Sequence, residues 1–177
     1  ENDMKFCKLT LFAAFALMLT LSTKALAQTS GHADHQQHDS HHAGVNERGD
    51  KVMGFSHEKT VHHFLLTADG GMIVAEVKDK SDTASLEQIR SHFKHIAHKF
   101  AAGDFTAPML IHEQTPPGVP TMKQLMSAIK YQFEQTELGG RVRITTGNPK
   151  ALAAIHEFLR FQVSDHKTGD SGKIEKP

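Results

Sequence analysis

The sequence predicts an α+β fold: two ββα units forming a four-stranded, mainly antiparallel sheet with two helices on one face. Three observations carry this reading. Two pairs of short runs rich in β-branched and aromatic residues are each joined through a diglycine, Gly70-Gly71 and Gly139-Gly140. Each pair is followed by a segment whose apolar residues recur at helical spacing. Aligning the two diglycines superposes the two units, as an internal repeat does.

The first unit opens with His62-His63-Phe64-Leu65-Leu66-Thr67, turns through Asp69-Gly70-Gly71 and returns from Met72 to Lys78. In the helix that follows, Ser85 and Gln88 read as a capping box. Ile89, Phe93, Ile96, Ala97 and Phe100 then form one apolar stripe, and Gly103 with Asp104 is the stop. The second unit alternates apolar and polar from Ile129 to Gln135, turns at Leu138-Gly139-Gly140 and returns from Arg141 to Thr145. Asn148 caps the second helix and Pro149 takes its first position. Its inward stripe is Leu152, Ile155, Leu159 and Val163.

Between the units, Phe105 to Pro120 reads as a loop stiffened by prolines, and Thr121 with Gln124 caps a short helix from Met122 to Ala128. The sheet face away from the helices carries Lys130, Gln132, Glu134, Arg141 and Arg143, either solvated or a dimer surface. These elements define one domain over residues 51–166, with 167–177 expected as a flexible tail.

Ahead of the domain, Lys5 and Lys8 form a basic stretch, Leu9 to Leu21 is apolar, and Ala25-Leu26-Ala27 is a small-x-small cleavage site. Residues 1–27, including three leading residues, are expected to be a secretory signal cut near Ala27. That places the protein in the periplasm or outside the cell, with no stable membrane anchor after cleavage. The single cysteine, Cys7, leaves with the signal, so disulfide and thiolate chemistry are excluded. Residues 28–50 are expected to be a disordered histidine-rich tract carrying His32, His35, His38, His41 and His42.

Lysine plus arginine total 20, aspartate plus glutamate also 20, and tryptophan is absent. This balance excludes a general electrostatic grip on nucleic acid. Histidine, at 14 residues, is the outlier. With no thiolate, any metal must be held by imidazole, carboxylate or thioether, which suits copper, zinc or a similar ion. The folded-domain candidates are His62, His92, His95, His112 and His156; the tract histidines would capture ions flexibly. His156 lies close to the inward stripe, where a hydrogen bond to a backbone carbonyl is its ordinary use. His98 is read as solvated. Met122 and Met126, four apart, are read as core filler. Catalytic signatures such as Gly-x-Ser-x-Gly, a phosphate loop or His-Glu-x-x-His are absent.

Thr67-Ala-Asp-Gly-Gly, the segment Gly103 to His112 with Pro116-Pro-Gly, and Ala154-Ile-His-Glu-Phe-Leu-Arg-Phe-Gln resemble a family of small exported bacterial proteins, whose members are sometimes named aspartate carbamoyltransferase. The resemblance spans most of residues 45–169 and implies export, with no activity attached. The Ser-Thr-Arg-Thr loop of carbamoyltransferases is absent. The expected function is therefore metal buffering or delivery through histidines. The alternatives are a non-covalent haem or small-ligand binder and a dimeric interaction module presenting Phe161.

Overall fold

The computed structural model describes residues 30–174, with side chains from residue 41 onward. The expected signal segment lies outside the described residues. The elements are α1 (Ser30–Met53), β1 (Thr60–Thr67), β2 (Gly70–Val77), α2 (Thr83–Ala101), α3 (Thr106–His112), α4 (Val119–Gln124), β3 (Ile129–Gln135), β4 (Gly139–Thr146) and α5 (Pro149–His166), with a 3-10 turn at Met126–Ala128 before β3. The four strands form one antiparallel sheet in the order β1-β2-β4-β3.

Two ββα units are present, and their strands meet symmetrically. Gly70, the first residue of β2, pairs with Thr145 near the end of β4; Gly139, the first of β4, pairs with Glu76 near the end of β2; Ile73 pairs with Val142 at the centre. The glycines explain the close approach. A Cβ on Gly70 would sit 1.9 Å from the Ile144 carbonyl oxygen, and one on Gly139 would sit 2.0 Å from that of Ala75. At each glycine the neighbouring strand occupies the space a side chain would take.

The helices cross over. α2 of the first unit lies on β3 and β4, while α5 of the second lies on β1 and β2. Each unit thus covers the other's hairpin, and one core forms between them, including Phe64, Leu66, Ile73, Val142 and Ile144 from the sheet and Ile89, Phe93, Phe100, Ile155, Phe158 and Leu159 from the helices. Such burial is worth about 1.5–3 kcal/mol per large side chain. Neither unit can bury its apolar face alone.

Several boundaries differ from the sequence reading. Asp82, not Ser85, caps α2: its carboxylate accepts from the Ser85 amide at 3.0 Å and from the Ser85 hydroxyl. A carboxylate one turn earlier meets the orphan amide, and the serine becomes its donor. The proline-rich connection holds two helices, α3 and α4. Pro108 falls in the first turn of α3, and Pro120 in that of α4, where a missing N–H costs nothing. Gly118 with φ 82° caps α4 in place of Thr121.

The largest corrections concern the two ends. The segment expected to be disordered is helical from Ser30, and Val45 within it is fully buried. The tail expected to be flexible is held as far as Ile174. Asp170 accepts from the Phe64 amide at 2.8 Å and contacts His63 at 2.9 Å, and Ile174 forms a parallel bridge to Leu66. The outer edge of β1 has unpaired backbone groups, and the tail supplies partners for them.

Candidate functional site

Both end segments converge on β1, and a cleft of about 250 Å³ lies between them. Its walls are α1 (His42, Val45, Gly49, Met53), the connection and start of β1 (His57, Thr60 to His63) and the end of α5 with the following residues (His166, Thr168). Polar bonds latch α1 in place. Arg48 Nε donates to the Ile111 carbonyl at 2.7 Å, His41 Nε2 meets Asp165 at 2.8 Å, and His42 Nε2 meets the His166 carbonyl at 3.2 Å. Five imidazoles therefore line one small cleft.

His62 is the least satisfied of them. It shares the strand face of Phe64 and Leu66, as the alternation requires. Its ring lies 5.7 Å from Phe55 and 6.3 Å from His166, centre to centre, and its Nε2 is buried with no hydrogen-bond partner among the described residues. Burial pushes its pKa down to about 4, and the neighbouring His92 adds to the effect. Burial likewise pushes His166 down to about 3, with His112 and His62 contributing. Both are neutral at pH 7, so their lone pairs are free of protons.

Two other cleft histidines are oriented by carboxylates. His57 Nδ1 lies 3.0 Å from each oxygen of Asp50, and His63 Nδ1 lies 2.9 Å from Asp170. A carboxylate on one ring nitrogen fixes the tautomer and leaves Nε2 as the lone-pair donor, the arrangement found behind metal-ligating histidines. Hydrogen bonds from Thr168, the Phe64 amide and His63 hold Asp170 below the usual carboxylate range, against burial, which would raise it.

The remaining candidates are scattered. His92 and His95 line two other depressions beside α2; His92 packs edge-on against Phe55, and burial pushes it down to about 4. His98 is exposed. His112 is fully enclosed, its Nδ1 2.5 Å from Asp165 and its Nε2 2.9 Å from Gln162 Oε1. His156 Nε2 meets the carbonyls of Thr67 and Gly70 at 2.9 and 3.0 Å, tying α5 to the first hairpin. The five folded-domain candidates thus do not meet at one point. Of the tract, His41 and His42 are latches of α1, while the side chains of His32, His35 and His38 lie outside the described residues. Phe161 is half-buried rather than exposed: its ring packs edge-on against His112 at 4.9 Å. Met122 is core, as read, and Met126 is exposed.

His166 and the role of His57 are absent from the sequence reading. The signal for His166 was available: Ile155, Leu159, Gln162 and His166 continue one helical stripe at i, i+4, i+7, i+11. His57 had no such signal, because Asp50 reaches it from another element. Among the described residues, no three ligating side chains stand gathered for an ion. No family model, no curated protein and no solved structure matches the chain.

Proposed function

We propose that the protein binds a transition-metal ion in the cleft between α1, β1 and the end of α5, and serves outside the cytoplasm as a buffer or carrier of copper, zinc or a similar ion. The observation that carries this is the buried Nε2 of His62, which has no hydrogen-bond partner among the described residues. An unpaired buried polar atom costs about 1–3 kcal/mol. A ligand in the cleft supplies what the fold withholds.

The neighbours suit the task. Two imidazoles on one ion have ring centres roughly 5–6.5 Å apart, and His62 and His166 are 6.3 Å apart. The other donors, His42 and His57, sit on α1 and a connection rather than in the sheet. Binding therefore draws them inward onto a two-imidazole seat, which fits an ion that is taken up and passed on.

Calorimetric titration of the full chain with zinc and cupric ions tests this, with His32, His35 and His38 replaced by glutamine so that the tract does not compete. Stoichiometric binding should persist in that variant and weaken about 10–100-fold on adding His62→Gln. Binding that vanishes with the tract, or ignores His62→Gln, removes the proposal. Point substitutions serve here because a chain starting at residue 51 would lose most of α1 together with the tract.

A further inference from the structure

The donor set of the cleft contains no anionic side chain. Its lining residues include five imidazoles and the thioether of Met53, and no carboxylate, ammonium or guanidinium. The nearby carboxylates are engaged from behind: Asp50 by His57, Asp165 by His41 and His112, Asp170 by His63 and the Phe64 amide. None of them lines the cleft as a direct ligand, although the charges of Asp50 and Asp165 are still felt at His62 and His166.

This has two consequences for which ion fits. Hard cations such as magnesium, calcium and manganese favour carboxylate-rich oxygen sets, and the only side-chain oxygens lining the cleft are the neutral ones of Asn46, Thr60 and Thr168. Among softer ions, charge decides. The cost of holding an ion away from water rises with the square of its charge, so a monovalent ion costs about a quarter of what a divalent one does when no ligand neutralises either. Imidazole with thioether is also a soft set, matched to monovalent copper. Met53 is placed for this: it ends α1, and its Cε folds back over Gly49, where even a Cβ would come within 3.2 Å of it.

Resting on the metal-binding reading above, we infer that the cleft selects cuprous copper, with the Met53 thioether joining the imidazoles of the His62–His166 seat. A divalent ion there gains no anionic ligand in direct contact. Cuprous copper leaves one unit of charge and accepts a low coordination number. Met53 is then a specificity residue rather than a filler of the space under α1.

The test uses the full chain, kept anaerobic with a reductant, and measures cuprous affinity by competition with a chromophoric chelator and zinc affinity by a parallel competition. Cuprous copper should be held on the order of a hundredfold or more tightly than zinc. Met53→Leu, which keeps the volume, should weaken cuprous copper by about tenfold or more and leave zinc unchanged. X-ray absorption should show sulfur beside nitrogen in the parent complex and nitrogen alone in the variant. Zinc held as tightly as cuprous copper, or a Met53→Leu complex with unchanged affinity, overturns the inference while the metal site stands. Affinities that stay fixed in both His62→Gln and His57→Gln, each with a native circular dichroism spectrum, overturn the site and the inference together.

Discussion

His112 is buried, His62 is half-buried with an enclosed Nε2, both contact the ring of His166, and they are opposite in what their nitrogens meet. His112 has an acceptor on each side, Asp165 and Gln162, and its side chain is fully enclosed. His62 has a buried Nε2 that meets nothing and a cleft beside it. The first joins three helices: through Asp165 and His41 it links α3, α5 and α1. The second links nothing. Burial alone does not separate a structural histidine from a binding one; the count of partners does.

The contrast is broken most forcefully at His112. Replacing it with alanine leaves Asp165 at the helix junction without its closest partner and opens a cavity against Phe161. Loss of a buried, doubly hydrogen-bonded side chain together with the cavity it leaves costs about 3–5 kcal/mol. The expected outcome in urea denaturation is a fall in unfolding free energy of that size, seen as a lower midpoint at unchanged slope. A loss below about 1 kcal/mol makes the junction ornamental and erases the distinction.

Acid acts on the other side of the comparison. His62, His92 and His166 are held at about 4, 4 and 3 by burial, against 6.5 in the unfolded chain. The unfolded chain therefore takes up protons first as the pH falls. The contribution is full above about pH 6.5 and is lost progressively toward pH 4, on the order of 3 kcal/mol for His62 alone. Stability measured from pH 7 down to pH 4 should fall steeply in that window, and His62→Leu should flatten the fall. An unchanged slope in that variant would show that His62 is not held neutral by the fold.

How much of this was legible in the sequence follows from the range of the interactions. Period-two runs, diglycines and the Asn148-Pro149 cap are local, and the hairpins and α5 emerged near their observed ends. The diglycines were read as turn chemistry, but their second use, letting Ile144 and Ala75 approach, depends on the pairing of β2 with β4 and is invisible locally. α1 was missed because its docking rests on one buried valine and on partners far along the chain, Ile111, Asp165 and the His166 carbonyl. α3 is not legible locally because Pro108 reads as a breaker, whereas it sits in the helix's first turn. The site suffered most. His62 was placed on the correct face by alternation, but Asp50, Asp170 and Met53 reach the cleft only through tertiary contacts.

A smaller effect is expected at His156, which resembles His112 in being satisfied but holds only one tie. Its Nε2 meets two carbonyls at the first hairpin. His156→Leu keeps much of the volume and strands the carbonyls of Thr67 and Gly70, at a cost of about 1–3 kcal/mol. Hydrogen exchange should quicken at the β1–β2 turn before it does elsewhere. Uniform quickening would assign His156 to general packing rather than to that tie.

The finest test is His62→Leu, where the sign matters more than the size. An unpartnered buried nitrogen is a liability to the apo fold, and leucine on the face of Phe64 and Leu66 removes it. The variant should match or exceed the parent in stability by up to about 1 kcal/mol at pH 7, the reverse of the loss expected at His112. It should at the same time lose retention of the ion. A side chain whose removal stabilises the empty protein and abolishes binding is kept for its ligand, as strained or unsatisfied groups at functional sites generally are. A destabilisation of about 2 kcal/mol or more, with metal affinity intact, would move His62 into the class of His112 and leave the cleft a gap between end segments.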